Sequence, residues 1–278
     1  MAEESASGGR EGRPGHGTPA AANSTAMPSP QPPHAPARPA ETISPARQRL
    51  VGVALAAAII GGWLALHLWG VLLHRWSAID WVRAPLLIAL QSWLSTGLFI
   101  VAHDAIHGSL APHRPRLNAA LGQLCVGLYA GFRFQRLAAS HQRHHDAPGT
   151  AEDPDFHAAD PRAFVAWLRA FFLRHFGWAE FATVTAVLVL YLALGARASN
   201  LIAFWGLPAI LSALQLFTVG TWLPHRHGAD AFADRHRTRT LHWPWLLSLL
   251  ACYHFGRHHE HHLWPQLPWW RLPSVKSR

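Results

Sequence analysis

Between Leu50 and Leu73 the chain runs for 24 residues without an Asp, Glu, Lys or Arg. At a rise of about 1.5 Å per residue, such a run crosses a hydrocarbon core of roughly 30 Å with some tilt. A backbone placed there has to satisfy its own hydrogen bonds, which restricts it to helix. A polar connection from His74 to Arg83 follows, then a second charge-free run from Ala84 to Ala102. Charged residues make up only 14% of the chain against about a quarter in soluble domains, which favours membrane embedding over a large soluble core. The 14 tryptophans point the same way, because Trp collects at membrane interfaces.

The remaining segments extend this pattern. Residues 1–45 are rich in Pro, Ala, Gly and Ser without apolar periodicity, and are expected to be a disordered tail preceding one membrane-embedded domain at 46–278. They are not expected to act as a signal peptide, since no apolar core precedes Leu50. Leu117 to Phe134 is apolar but loosened by Gly122, Gly127 and Gly131; it spans, re-enters or lies under the headgroups. Pro161 to Trp178 intersperses Arg162, Arg169 and Arg174 with aromatic residues, as an interfacial amphipathic helix does. A second hairpin is expected from Glu180 to Leu194 and Asn200 to Leu223, whereas Pro244 to Cys252 is too short to span. The expected fold is all-α: an integral membrane helical bundle of two transmembrane hairpins with interfacial helices.

Charge placement orients the bundle. His103 to Glu180 and Pro224 to Arg278 each carry eight Lys plus Arg, while the hairpin tips hold only Arg75, Arg83 and Arg197. The positive-inside rule then puts the tail, the C-terminus and the segments following the spans on the cytoplasmic side of the inner membrane. The net charge of +9 forms no stripe of the kind that tracks nucleic acid, and anionic lipid headgroups suit it better. Cys125 and Cys252 lie in apolar segments and read as small buried hydrophobes.

On that cytoplasmic side fall three histidine clusters: His103-Asp104-Ala105-Ile106-His107, His141-Gln142-Arg143-His144-His145 and His258-His259-Glu260-His261-His262. Imidazoles spaced i, i+3 and i+4 share a helix face. His103, His107, His141, His144, His145, His258, His261 and His262 make eight candidate ligands, and His225, at the end of a span, makes a ninth. Nine imidazoles exceed the needs of one ion, whereas two ions would each receive four or five. Imidazole suits Fe, Zn, Cu and Ni alike; a hydrophobic protein implies a hydrophobic substrate whose inert C–H bonds need an oxidant, which argues for iron and O2. A zinc peptidase is excluded, because the His-Glu-x-x-His pattern begun at His259-Glu260 meets Leu at 263.

Other polar residues carry weaker expectations. Asp104 is a candidate catalytic residue, orienting a ligand imidazole through its second nitrogen, with a pairing to a nearby arginine as the alternative. Asp153, Asp155 and Asp160 are expected to be mostly solvated, and Trp264, Trp269 and Trp270 to be interfacial anchors. His254 is either a supporting residue or a spare ligand. His67 and His74 belong to the first hairpin, and His16, His34, His113, His157, His175, His236 and His242 are read as solvent-facing or structural.

The boxes, with the strings HDAIHGSLAP at 103–112, LNAALGQLCVGLYAGFRF at 117–134, PGTAEDPDF at 148–156, ALQLFTVGTWLPHRH at 213–227 and CYHFGRHHEHHLWP at 252–265, resemble the membrane fatty-acid desaturase/hydroxylase superfamily and, more closely, its bacterial β-carotene ketolases. The resemblance covers residues 50 to 273. It implies a di-iron enzyme, O2-dependent, taking electrons from a ferredoxin-like donor and oxidising the C4 methylene of a carotenoid ring to a ketone by two hydroxylations. Its ligands would be His103, His107, His141, His144, His145, His225, His258, His261 and His262, with His227 and His259 blurring which ring binds. Rival readings are a carotenoid 3-hydroxylase, a fatty-acid desaturase or hydroxylase, and a non-catalytic membrane metal-binding protein; transporters, however, place ligands near the bilayer midplane rather than at one interface.

Overall fold

The computed structural model describes residues 43–228 and 231–275, so the tail expected over 1–45 lies almost wholly outside the described residues. Among those residues the regular structure is helical, apart from one bridge pair between Thr240 and Arg257. Helix α1, Pro45–Leu73, starts where the Ser44 hydroxyl accepts the Arg47 N–H and Pro45 occupies the first turn, a position that needs no donor. Helix α2, Asp80–Ile106, begins four residues before the charge-free run. The Asp80 carboxylate there accepts the Ser77 N–H and hydroxyl, and its charge complements the helix N-terminus.

Helix α3 covers Pro115–Ala130 and ends on Gly131 at φ 72°, a left-handed cap that glycine adopts without strain. It packs along α2, and its bare Gly122 receives the Phe134 ring that opens α4, Phe134–Asp146. Sixteen residues reach only about 24 Å, so of the three placements open for this segment a simple span is the poorest fit. Helices α5, Phe164–His175, and α6, Trp178–Ala193, meet at an 81° bend. Helix α7, Ala198–His225, contains π turns at Ile202–Gly206 and Phe217–Trp222. Each precedes a proline (Pro208, Pro224) that cannot donate to the ladder, and the wider turn absorbs the missing bond. Short helices α8, Trp245–Cys252, and α9, His258–Leu263, and a 3-10 turn at Trp269–Ser274 complete the chain.

Polar ties fix which ends meet. At one end Asn200 donates to the His74 carbonyl at 2.9 Å and accepts from the Trp76 indole at 2.7 Å. His67, buried within α1, meets the Tyr191 hydroxyl near the end of α6 at 2.9 Å. At the other end Gln48, near the start of α1, donates to the Ser109 carbonyl just past α2 at 2.8 Å. Hence α2 and α7 run in one direction and α1 and α6 in the opposite one, as two antiparallel pairs. The ends of α2 and α7 that carry His103, His107 and His225 therefore lie together, away from the tips.

Helices α1, α2 and α7 are long and apolar enough to cross a membrane, and α5 with α6 counts as a fourth only as one bent span. Their outward faces are apolar: Trp81, Leu86, Val189, Leu190, Ile202 and Ile210 are all exposed. A face of this size without polar cover suits lipid rather than water. Cys125 and Cys252 are fully buried and unpaired, as expected of small hydrophobes.

Candidate metal centre

Each histidine cluster sits where a helix ends or stands alone. His103 lies in the last turn of α2 and His107 caps it; α4 carries His141, His144 and His145; α7 ends at His225; α9 carries His258, His261 and His262. One ring nitrogen from each of His103, His107, His141, His145 and His261 lies within 4.8 Å of all the others, and the same holds for His144, His225, His258 and His262. On α4 the i, i+4 pair His141/His145 enters the first group while His144 turns to the second. On α9 the i, i+4 pair His258/His262 enters the second while His261 turns to the first. Each His-x-x-His-His string thus serves both groups, and the rings of His145 and His262 stack at 4.2 Å where the groups adjoin.

The donor set fits cations. Nε2 of His141 lies 2.9 Å from that of His107 and 3.1 Å from that of His145, which in turn is 3.0 Å from that of His261. Nε2 of His262 lies 3.2 Å from those of both His144 and His258. A neutral imidazole offers one donor and one acceptor nitrogen, so facing Nε2 atoms cannot all be satisfied by one another. His225 donates Nδ1–H to the Arg237 carbonyl at 2.9 Å, which leaves its buried Nε2 a lone-pair acceptor without a partner; both ring nitrogens of buried His103 are likewise unpartnered. Orphaned buried nitrogens are costly unless something electropositive meets them.

Burial, reinforced by mutual repulsion, lowers the proton affinity of these rings. His107 falls to about 4 and His145 to about 2, and His141, His258, His261 and His262 fall well below the usual range. Neutral rings with free lone pairs are the form that binds metal. His144 departs from the rest: burial would lower it, but the hydrogen bond and charge of Asp153, with the charge of Asp155, raise it.

Asp153 corrects the expectation of a solvated loop, for it is 2% exposed. Both its oxygens lie 3.0 Å from His144 Nδ1, and it accepts the Gly149 and Asp155 N–H groups, each at 2.8 Å. That arrangement fixes the tautomer of His144 with Nε2 aimed into the second group. Asp155 is also half-buried and accepts from His175 Nε2 at 2.8 Å; Asp160 alone of the three is exposed. The loop folds inward because its carboxylates find fixed donors there.

Asp104 is buried, accepts the Trp269 N–H at 3.1 Å, and keeps Oδ1 3.9 Å from His103 Nδ1, beyond hydrogen-bond reach. Trp269, half-buried, packs edge-on to Tyr253, and half-buried Trp264 packs on the main core. His227, His254 and His259 stay outside both groups. His254 meets the Ser248 hydroxyl at 3.1 Å, His259 faces Asp234 at 3.5 Å and His227 packs against Phe156. Two further positioning residues escaped the sequence. Buried Glu260 accepts from Thr240 and pairs with Arg257 at 3.5 Å, and Phe255 lies edge-on to His103.

A cavity of about 550 Å³ opens between α2, α3, α5 and α7. Its walls include Phe99, Tyr129, Phe171, Ile210 and Phe217, and its polar end shows His103 and His141 of one group with His144 and His258 of the other. Apolar walls converging on a few polar groups are the usual form of a small-molecule site.

The family model for fatty acid desaturases matches residues 79–182 and 177–278, which takes in all nine histidines of the two groups. The chain is 46% identical over 230 residues to a β-carotene ketolase of Paracoccus sp. (strain N81106 / MBIC 01143), covering 81% of this chain and 91% of that protein. The chain belongs to the fatty acid desaturase family and, within it, to the β-carotene ketolases. A second such ketolase, from Paracoccus sp. (strain PC1), is 48% identical over 230 residues, covering 82% of this chain and 93% of the other. A zeaxanthin 4-ketolase of Chlamydomonas reinhardtii is 36% identical over 244 residues, or 84% of this chain and 55% of that protein. The family model begins at residue 79 and leaves out α1.

Proposed function

We propose that the chain is a membrane-bound carotenoid 4-ketolase, converting the C4 methylene of a β-ionone ring to a ketone. The observation that carries this is the meeting of nine imidazoles, in groups of five and four, with one apolar cavity whose wall includes rings of both groups. The kinship with β-carotene ketolases supplies the substrate class. Each of two oxidations consumes O2, two electrons and two protons, inserts one oxygen into a C4–H bond and releases water. The resulting gem-diol loses a further water to give the carbonyl. β-Carotene would yield mono- and diketo products, and the likeness to a zeaxanthin 4-ketolase extends the proposal to 3-hydroxylated rings.

His103, His107, His141, His145 and His261 would hold one iron, and His144, His225, His258 and His262 the other. Bound non-haem iron supplies the activation of O2 needed to break an allylic C–H bond. The protein's own contribution is placement. Asp153 holds His144, the Arg237 carbonyl holds His225, and Phe255 braces His103. The walls exclude water and keep C4 beside the rings, where a fixed approach supplies much of the rate. Asp104 takes a positioning role, tying the end of α2 to the Trp269 turn. Both antiparallel pairs would cross the inner membrane as hairpins, with the arginine-rich ring end in the cytoplasm within reach of a ferredoxin-like donor.

Expression in bacteria that accumulate β-carotene tests the assignment. Ketone products that vanish with His261→Ala are expected; 3-hydroxylated products would move the function to the neighbouring hydroxylase. Unchanged β-carotene from iron-loaded protein with a competent donor would remove it.

A further inference from the structure

A ketolase differs from a hydroxylase in having to oxidise the same carbon twice, so a ring that has become polar at C4 must stay where it was apolar. The cavity wall holds one pair of ionisable side chains bonded to each other, Asp155 from the loop after α4 and His175 from the end of α5. A carboxylate oxygen of Asp155 lies within 4.8 Å of a ring nitrogen of His144, so the pair borders the metal groups. His175 donates to Oδ1, and the Asp155 backbone is pinned on both sides: its N–H donates to Asp153 at 2.8 Å and its carbonyl accepts the Trp167 indole at 2.7 Å. Oδ2 has no hydrogen-bond partner among the described residues, although the rest of the residue is fully engaged. An ionised carboxylate is a strong acceptor for a hydroxyl. The phenyl rings of Phe171 and Phe176 border the same space and offer no competing acceptor.

We propose that the Asp155–His175 pair accepts the hydroxyl of the half-oxidised ring and retains it for the second oxidation. The inference rests on the ketolase reading and names what would make the reaction run to the ketone. After the first round C4 bears one hydroxyl group and one remaining C–H bond. Holding the O–H on Asp155 Oδ2 presents the remaining C–H to the same rings; O2 and the electron donor of the second round are those of the first.

The test compares the full chain with Asp155→Asn and His175→Gln in β-carotene-accumulating bacteria, reading the ratio of 4-hydroxylated to 4-keto products. Loss of a hydrogen bond to a charged group predicts a ratio roughly tenfold higher in Asp155→Asn. Membranes given O2 and a reduced ferredoxin then supply KM for β-carotene and for its 4-hydroxylated derivative separately; the variants should raise the second more than the first. An unchanged product ratio, or equal rises in both KM values, would assign the pair a structural role and overturn the inference. Absence of any ketone from the unmutated chain would instead remove the ketolase reading, and this inference with it.

Discussion

Replacing Asp153 by Asn should empty one metal group and spare the other. Asp153 is the buried acceptor for His144 Nδ1, with both oxygens at 3.0 Å, and for two backbone N–H groups at 2.8 Å. An Asn amide keeps one acceptor oxygen and turns its NH2 toward donors, so at least one buried N–H loses its partner and His144 loses a charge-assisted bond. Such a bond contributes about 1.5–3 kcal/mol, and each ~1.4 kcal/mol is tenfold in affinity. The expected weakening is therefore roughly tenfold to hundredfold, the range found when the partner of a metal-bound imidazole is removed elsewhere. It falls on the group of His144, His225, His258 and His262, because His144 is the ring of the two groups that Asp153 hydrogen-bonds among the described residues. Purified protein titrated with a chelator, with iron per chain read by mass spectrometry, should show two steps, the weaker one shifted in the variant. A curve identical to that of the unmutated protein, or parallel loss of both ions, would refute the assignment of His144 to a distinct group.

Three further outcomes follow from the same geometry. His225→Ala should lower iron content and ketone formation, whereas His227→Ala, outside both groups, should leave iron per chain unchanged. Gly97→Ala would drive a Cβ into the Tyr253 hydroxyl, whose ring stacks on Trp93 at 4.4 Å just ahead of α9; overpacking of this kind predicts a loss of about 1–3 kcal/mol, visible as a lowered Tm in detergent. Metal-free protein should lose stability on acidification. His107, at about 4, and His145, at about 2, bind protons less readily folded than at the unperturbed 6.5, so the unfolded chain takes up more protons as pH falls below 6.5. His144, raised by Asp153, acts in the opposite sense and only partly offsets them. Thermal scans between about pH 7 and about pH 5 check this, and a Tm that rises toward acid would contradict it.

How much of this was legible in the sequence depended on the range of the interactions. Period and spacing report on one helix at a time. They exposed the charge-free runs that became α1, α2 and the larger part of α7, and the rings of α4 and α9, because i, i+4 neighbours share a face whatever the rest of the chain does. They also implied that two ions sharing the rings would each receive four or five imidazoles, and the rings do gather in groups of five and four. They were blind to the partition, since His144 and His145 are adjacent in sequence yet enter different groups, and only the docking of α4 against α9 decides which. The same blindness hid Asp153. A carboxylate in a Pro- and Gly-containing loop is usually hydrated, and nothing local shows that this loop turns inward to meet His144 nine residues back. Nor does anything local mark the tie between Asp104 and the Trp269 backbone N–H, which joins the end of α2 to the segment after α9. The residues that tune a centre are thus those whose role depends on long-range closure, and they are the ones that composition and periodicity leave unmarked.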